Sequence, residues 1–291
     1  MKTLGLKLNM VAHMMAMQNT MNTIVIGRDW VDSANHPNVD FIAAMSAEAG
    51  EFPDHMGFKW WKKQEADIHQ AKLELVDMYH FMISHIAQFN FQQLKRQNGK
   101  DEKMRFTYNE LKDIALDKTT ALVVTGAANM VQSSQCGLFV DQFEAIECKA
   151  EKRRRLLRTV RRIVEVLEVD SIIRATMDEN NPRTVEDSIT EAVDVFFVAC
   201  ALIGMSGKEL YLNYVGKNVL NRFRQDNGYK DGSYVKIWNG LEDNQVLEGF
   251  IKTQASIDNL DVSTIDFEAT VYKHLERHYP KQSTTAVKQS A

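Results

Sequence analysis

Several residue types that organise other folds are scarce in this chain of 291 residues. There are three cysteines, Cys136, Cys148 and Cys200, with no CxxC spacing. That leaves neither a disulfide framework nor a zinc cluster and suits a reducing compartment. Four prolines and fourteen glycines are few for this length, which argues against a turn-rich β fold and for long helices. No apolar run approaches the roughly 20 residues that span a bilayer, so no membrane partner is expected. The net charge of −4 argues against broad affinity for nucleic acid or anionic lipid. Met1–Met17 carries two lysines and several methionines, but His13 interrupts it and no small-residue cleavage site follows. It reads as a helix of the mature protein, and the expected location is cytoplasmic.

What is present is ordinary globular material, 44% hydrophobic and 25% charged, enough for one large domain or two modest ones. Helical periodicity dominates. Helices are expected at about 4–26, from Asn38 or Asp40 to Phe52-Pro53, and at 64–97, where Asn98-Gly99 stops the run. Thr107 with Glu110 makes a capping box for 107–116, and further helices are expected at 120–130 and 142–169. Asn180-Asn181-Pro182 is a break, and Thr184 with Asp187 caps 185–203. Helix continues over 206–223, a Gly/Asn/Asp/Tyr-rich functional loop runs from Gln225 to Asn244, and helices resume at 244–254 and 267–278. The expected fold is an all-α helical bundle. Its expected segments are 1–97, a variable stretch over 98–184, a second helical part over 185–280, and a disordered tail over 281–291.

One spacing repeats. Glu48-x-x-Glu51 is followed, 22 residues on, by Glu74-x-x-Asp77, and Glu165-x-x-Glu168 is followed at the same interval by Glu191-x-x-Asp194. Every offset is 117, and Gly99-Lys100 and Arg105-Phe106 return as Gly216-Lys217 and Arg222-Phe223. This is the mark of an internal duplication of a two-helix unit, with chance spacing as the alternative.

Residues i and i+3 of a helix share a face with Cβ atoms about 5–6 Å apart. If the two helices pack across their short connector, Glu48, Glu51, Glu74 and Asp77 meet over one seam. Like charges in a poorly solvated site oppose ionisation; Mg²⁺, which takes carboxylates, waters and phosphate oxygens, relieves this. A lone ExxE on a charged helix is usually a solvated face. Here Leu75, Met78, Tyr79, Phe81 and Met82 surround the acids, and no Lys or Arg stands at i+4, which favours metal. A ferritin-like di-iron site would need Glu-x-x-His on two helices, and only Asp77-x-x-His80 approaches it. In the second set, Arg158, Arg161 and Arg162 can pair with Glu165 and Glu168, so a structural relic is expected over a second metal site. The basic run Arg153–Arg162 has no interleaved aromatics and reads as a solvated or partner-facing helix.

The ExxE…ExxD pair resembles the signature of the all-α nucleoside triphosphate pyrophosphatases, a group that includes MazG-like enzymes and dimeric dUTPases. Further blocks resemble the dimeric dUTPases: Gln18-x-x-Met21-Asn22, Lys59-Trp60-Trp61-Lys62, His80-Phe81, and Gly216-Lys217-Asn218-x-Leu220-Asn221-x-Phe223-Arg224-Gln225-Asp226-Asn227-Gly228-Tyr229 with Gly232, Tyr234, Lys236, Trp238 and Glu242-Asp243-Asn244. Phe91–Pro182 carries no recognised block.

The resemblance implies a homodimer that cuts dUTP, with dUDP a further possibility, to dUMP and pyrophosphate using two or more Mg²⁺ ions, for which Mn²⁺ can substitute. It implies Glu48, Glu51, Glu74 and Asp77 as metal ligands; one of these carboxylates would take the water's proton, with Glu51 the candidate and the choice among them open. Gln18 and Asn22 would read uracil, His80 would add a hydrogen bond, and Trp61 and Phe81 would sandwich the base, although core packing is the ordinary fate of such aromatics. Lys217, Asn221 and Arg224, one helical stripe at i, i+4 and i+7, and Lys236 would hold phosphates, with the glycine-rich loop ordering around them. Two other readings stay open: a related dCTP or broad dNTP pyrophosphatase, and a helical nucleotide-binding module without turnover.

Overall fold

The structure, a computed structural model, describes residues 4–100, 105–132, 134–176, 182–255 and 266–280, with side chains described except at 130–132, 134–138, 169–176, 182–184, 255 and 266. The expected tail over 281–291 and Asn180-Asn181 lie outside those residues; α7 begins at Pro182, so Thr184 stands inside the helix and not at its expected cap. Helix accounts for 75% of the structure, and the all-α expectation holds. The chain divides into two compact units, Met1–Tyr214 and Val215–Ala291.

The first unit contains α1 (Leu8–Val25), α2 (Phe41–His55), α3 (Ile68–Gln97), α4 (Tyr108–Gln132), α5 (Ser134–Glu144), α6 (Lys149–Thr176), α7 (Pro182–Leu202) and the start of α8 (Gly207–Asp226). Local chemistry fixes the ends of the helices that carry the site. Asp40 caps α2, its carboxylate accepting from the Ile42 and Ala43 amides at 3.0 and 2.9 Å. Asp67 does the same for α3 at His69 and Gln70, both at 3.1 Å. Gly99, at φ 81°, lies just beyond the end of α3. The Thr107–Glu110 box opens α4: Glu110 Oε2 accepts from the Thr107 amide at 2.7 Å and Thr107 Oγ1 from the Glu110 amide at 3.4 Å.

Three expected boundaries move. The helix expected over 142–169 is interrupted: α5 ends at Glu144 and α6 begins at Lys149. α2 runs through Pro53 to His55, because a proline in the last turn forfeits a single ladder bond while the Met56 amide still reaches Phe52 O at 3.1 Å. The expected pair over 107–130 is one helix, α4. Nothing near Thr119-Thr120 breaks it, and both hydroxyls donate to carbonyls four residues back.

α2 packs on α3 and α6 on α7, with α4 against both α3 and α7. α4 comes close to α7 at Gly126, where a Cβ would sit 2.5 Å from Val193 Cγ1. The core is aromatic: Tyr79 stacks on Phe196 at 5.1 Å and meets Tyr214 edge-on at 5.5 Å. The methionine-rich face of α1 is spent inside the unit, with Met10, Met14, Met15, Met17 and Met21 all buried.

The second unit contains the rest of α8, a hairpin of β1 (Ile237–Trp238) and β2 (Leu241–Glu242), α9 (Asp243–Ala255) and α10 (Asp266–His278). The hairpin turns on Asn239-Gly240, both at positive φ (51° and 87°), as a two-residue turn requires. Phe223, Trp238, Tyr272, Tyr279 and Tyr234 form its aromatic core, with Phe223 and Trp238 each 5.3 Å from Tyr279.

No single helix among the described residues is long and apolar enough to cross a membrane.

Candidate active site

α2 and α3 bring the acids together. Ligand oxygens of Glu48, Glu74 and Asp77 lie within 4.8 Å of one another, and a second trio, Glu51, His55 and Glu74, meets the same limit. Glu74, buried in the α3 face, is common to both. Glu48, Glu51 and His55 stand at i, i+3 and i+7 of α2, which is one helical face, and His55 Nε2 lies 3.2 Å from Glu74 Oε1. Carboxylates this close, joined by an imidazole, form a donor set that fits divalent cations. His55 escapes the sequence reading because Pro53 reads there as the helix end.

Farther along α3 the face changes from acid to amide. Gln18 and Asn22 of α1 are both buried. Gln18 Nε2 donates to Asn22 Oδ1 at 3.0 Å, and Asn22 Nδ2 donates to Ser84 Oγ at 2.9 Å. Tyr214 OH donates to Gln18 Oε1 at 2.7 Å, and the Tyr214 ring stacks on His80 at 4.0 Å with an interplanar angle of 12°. His80 Nδ1 donates to Val76 O at 2.8 Å and lies 3.9 Å from Asp77 Oδ1. Each primary amide offers two donors and two acceptor lone pairs, so these bonds leave both with capacity for a ligand. Asp77 and Ser84 are seven residues apart on one helix, about 10 Å along its axis, comparable with the span from a nucleotide's base to its α-phosphate. Ser84 and Tyr214 were not singled out in the sequence. The signals were there: Ser84 stands four residues after His80, and Tyr214 two residues before the last block begins at Gly216.

The two aromatics expected around the base have separate ring partners. The ring partners of Trp61 are Phe58 and Trp60, at 5.8 and 5.6 Å, and that of Phe81 is Phe41, at 6.4 Å. Among the described residues Trp61 and Phe81 share no ring contact, and Trp61 is exposed.

In the second unit the α8 stripe is engaged by its own neighbours. Arg224 grips the fully buried Asp243 through Nε at 2.8 Å and Nη2 at 2.9 Å, while its Nη1 donates to Asn221 Oδ1 at 3.2 Å. Tyr234 OH adds a 2.8 Å bond to Asp243. Burial alone would raise the Asp243 carboxyl, but the bonds and charge of Arg224, with Tyr234, hold it below its ordinary value. Lys217 Nζ is 3.3 Å from Asn244 Oδ1, and the exposed Lys236 is 3.4 Å from Glu242. Asn218, buried beside Lys217, has an Nδ2 with no hydrogen-bond partner.

The second carboxylate set has a different fate. Arg161 pairs with Glu165 at 3.0 Å, and Arg162 reaches Glu191 through Nε and Nη2 at 3.0 and 2.8 Å. Arg154 and Arg155 share Glu151, and Arg153 donates to the Gly57 carbonyl beyond the end of α2.

The all-α bundle, with clustered carboxylates on paired helices beside buried amides, is consistent with an all-α dUTPase of the MazG-like type. The dUTPase family model matches residues 10–229, and the chain belongs to that family. Membership implies a hydrolase acting on dUTP. No curated relative matches the sequence.

Proposed function

We propose that the chain is a Mg²⁺-dependent dUTP pyrophosphatase that cuts the α–β phosphoanhydride, releasing dUMP and pyrophosphate and so limiting uracil incorporation into DNA. The observation that carries this reading is the α3 face, with Glu74 and Asp77 at one end and the Ser84–Asn22–Gln18 amide chain about two turns on. Two or more divalent ions held by Glu48, Glu51, Glu74 and Asp77 would polarise the α-phosphate and acidify a water. Glu51, the more exposed acid of α2, takes the proton of the attacking water. Gln18 and Asn22 supply a donor to uracil O4 and an acceptor for N3–H, the reverse of what cytosine would require. Tyr214 holds Gln18 in orientation, and His80, with its Nδ1 committed to Val76 O, turns Nε2 to the sugar or base.

Lys217, Asn221, Arg224 and Lys236 suit polyphosphate by charge. Arg224 does so through what Asp243 leaves of its guanidinium, and it is also a structural clamp. Trp61, on its exposed segment, is available to a base as a stacking face. The homodimer rests on the family resemblance alone.

The test is pyrophosphate release from dUTP, dUDP, dCTP, dTTP and dATP with and without Mg²⁺. The expected result is Mg²⁺-dependent release from dUTP well above the other triphosphates. Equal rates across the panel would make the chain a broad dNTP pyrophosphatase, and binding without release would make it a nucleotide-binding module.

A further inference from the structure

Two overlapping donor sets share Glu74, and they differ in chemistry. Glu48, Glu74 and Asp77 offer oxygen alone, whereas Glu51, His55 and Glu74 offer two carboxylates and an imidazole. Mg²⁺ takes oxygen donors and dehydrates reluctantly. An imidazole nitrogen favours later first-row ions, rising from Mn²⁺ through Co²⁺. His55 is half-buried, with Nε2 3.2 Å from Glu74 Oε1. It stands on the same α2 face as Glu48 and Glu51, so the nitrogen is directed at the acids by helix geometry.

We propose that His55 is itself a metal ligand, so that Glu51, His55 and Glu74 form a nitrogen-containing position that prefers Mn²⁺ or Co²⁺ over Mg²⁺ beside the all-oxygen position. This rests on the metal-dependent reading of the α2–α3 site. It would make that site chemically asymmetric, with Glu48, Glu74 and Asp77 suited to Mg²⁺ and Glu51, His55 and Glu74 to a borderline transition-metal ion. Glu51 can serve both roles assigned to it, one oxygen toward the ion and the other toward water. The position 117 residues beyond His55 is Ile172, so the second helix pair lacks this donor altogether.

The experiment is pulsed electron paramagnetic resonance on the full chain loaded with Mn²⁺, in the wild type and in His55→Gln and His55→Asn, with circular dichroism as the check on folding. The expected result is a nitrogen hyperfine coupling on bound Mn²⁺ in the wild type that is lost in both variants. The Mn²⁺-over-Mg²⁺ affinity ratio should also fall on the order of tenfold. Bound Mn²⁺ with no nitrogen coupling, or a coupling that survives in both folded variants, would overturn His55 as a ligand and leave the carboxylate reading standing. No Mn²⁺ binding at all would overturn the metal reading beneath it.

Discussion

The α2–α3 and α6–α7 helix pairs carry the same carboxylate spacing and differ in what lies against the carboxylates. In the first, Glu48, Glu74 and Asp77 converge on one another, and Glu74 meets His55. In the second, Glu165 and Glu191 are taken by Arg161 and Arg162. Those arginines stand 117 positions after Ala44 and Met45, so a small and an apolar residue in one pair correspond to two cations in the other. Asp194, the counterpart of Asp77, keeps a buried Oδ1 with no hydrogen-bond partner, and burial pushes its carboxyl upward. Equal spacing therefore does not mean equal chemistry. The side chains packed beside a carboxylate decide whether it meets other acids or an arginine.

The sharpest way to break this contrast is to remove acids from each pair. Glu48→Gln or Asp77→Asn should lower pyrophosphate release from dUTP by orders of magnitude, because ion binding and water activation fail together, with helical content unchanged by circular dichroism. Glu165→Gln and Glu168→Gln should turn over like the wild type. Loss of activity in the second group would end the distinction.

Arg224 extends the rule to the second unit, where a carboxylate, here fully buried, is again matched to an arginine. Arg224→Ala would strand Asp243 and should cost about 3–5 kcal/mol, read as a lowered denaturation midpoint. The pH dependence follows from the depressed Asp243 carboxyl. Its contribution is full above the unfolded value of about 4 and is lost as pH falls through the lower folded value. The indole resonance of the buried Trp238 should report acid unfolding of this unit, and Asp243→Asn should flatten that dependence while lowering stability at neutral pH.

At the amide end of α3, Tyr214→Phe removes one hydroxyl and leaves the stack on His80. A penalty of about 1 kcal/mol should appear as weaker binding of dUMP. An unchanged affinity would mean that Tyr214 does not orient Gln18. The smallest effect is expected at the surface: Arg162→Ala should cost under about 1 kcal/mol by denaturant titration, since both partners are about half exposed.

Much of the bundle was legible because the signals are local. Asp40, the Thr107–Glu110 pair and Asn98-Gly99 mark helix ends within a few residues of where they act. What failed to read depended on context. Pro53 looks like a terminator and is tolerated in a last turn, so His55 was lost with the turn. The Asn239-Gly240 hairpin signal is two residues inside a loop whose strands are only two residues each. The carboxylate face was legible from i, i+3 spacing. The grip of Arg224 on Asp243 was not, because that partner arrives 19 residues later by way of the hairpin.

The central claim is that the α2–α3 carboxylates hold catalytic metal and the α6–α7 carboxylates do not. Mn²⁺ binding by equilibrium dialysis, measured alongside dUTP turnover in Glu74→Gln and Glu191→Gln, tests it most directly. Glu74→Gln should lose bound metal and turnover together, and Glu191→Gln should keep both. Metal retained by Glu74→Gln, or lost from Glu191→Gln, would contradict the assignment.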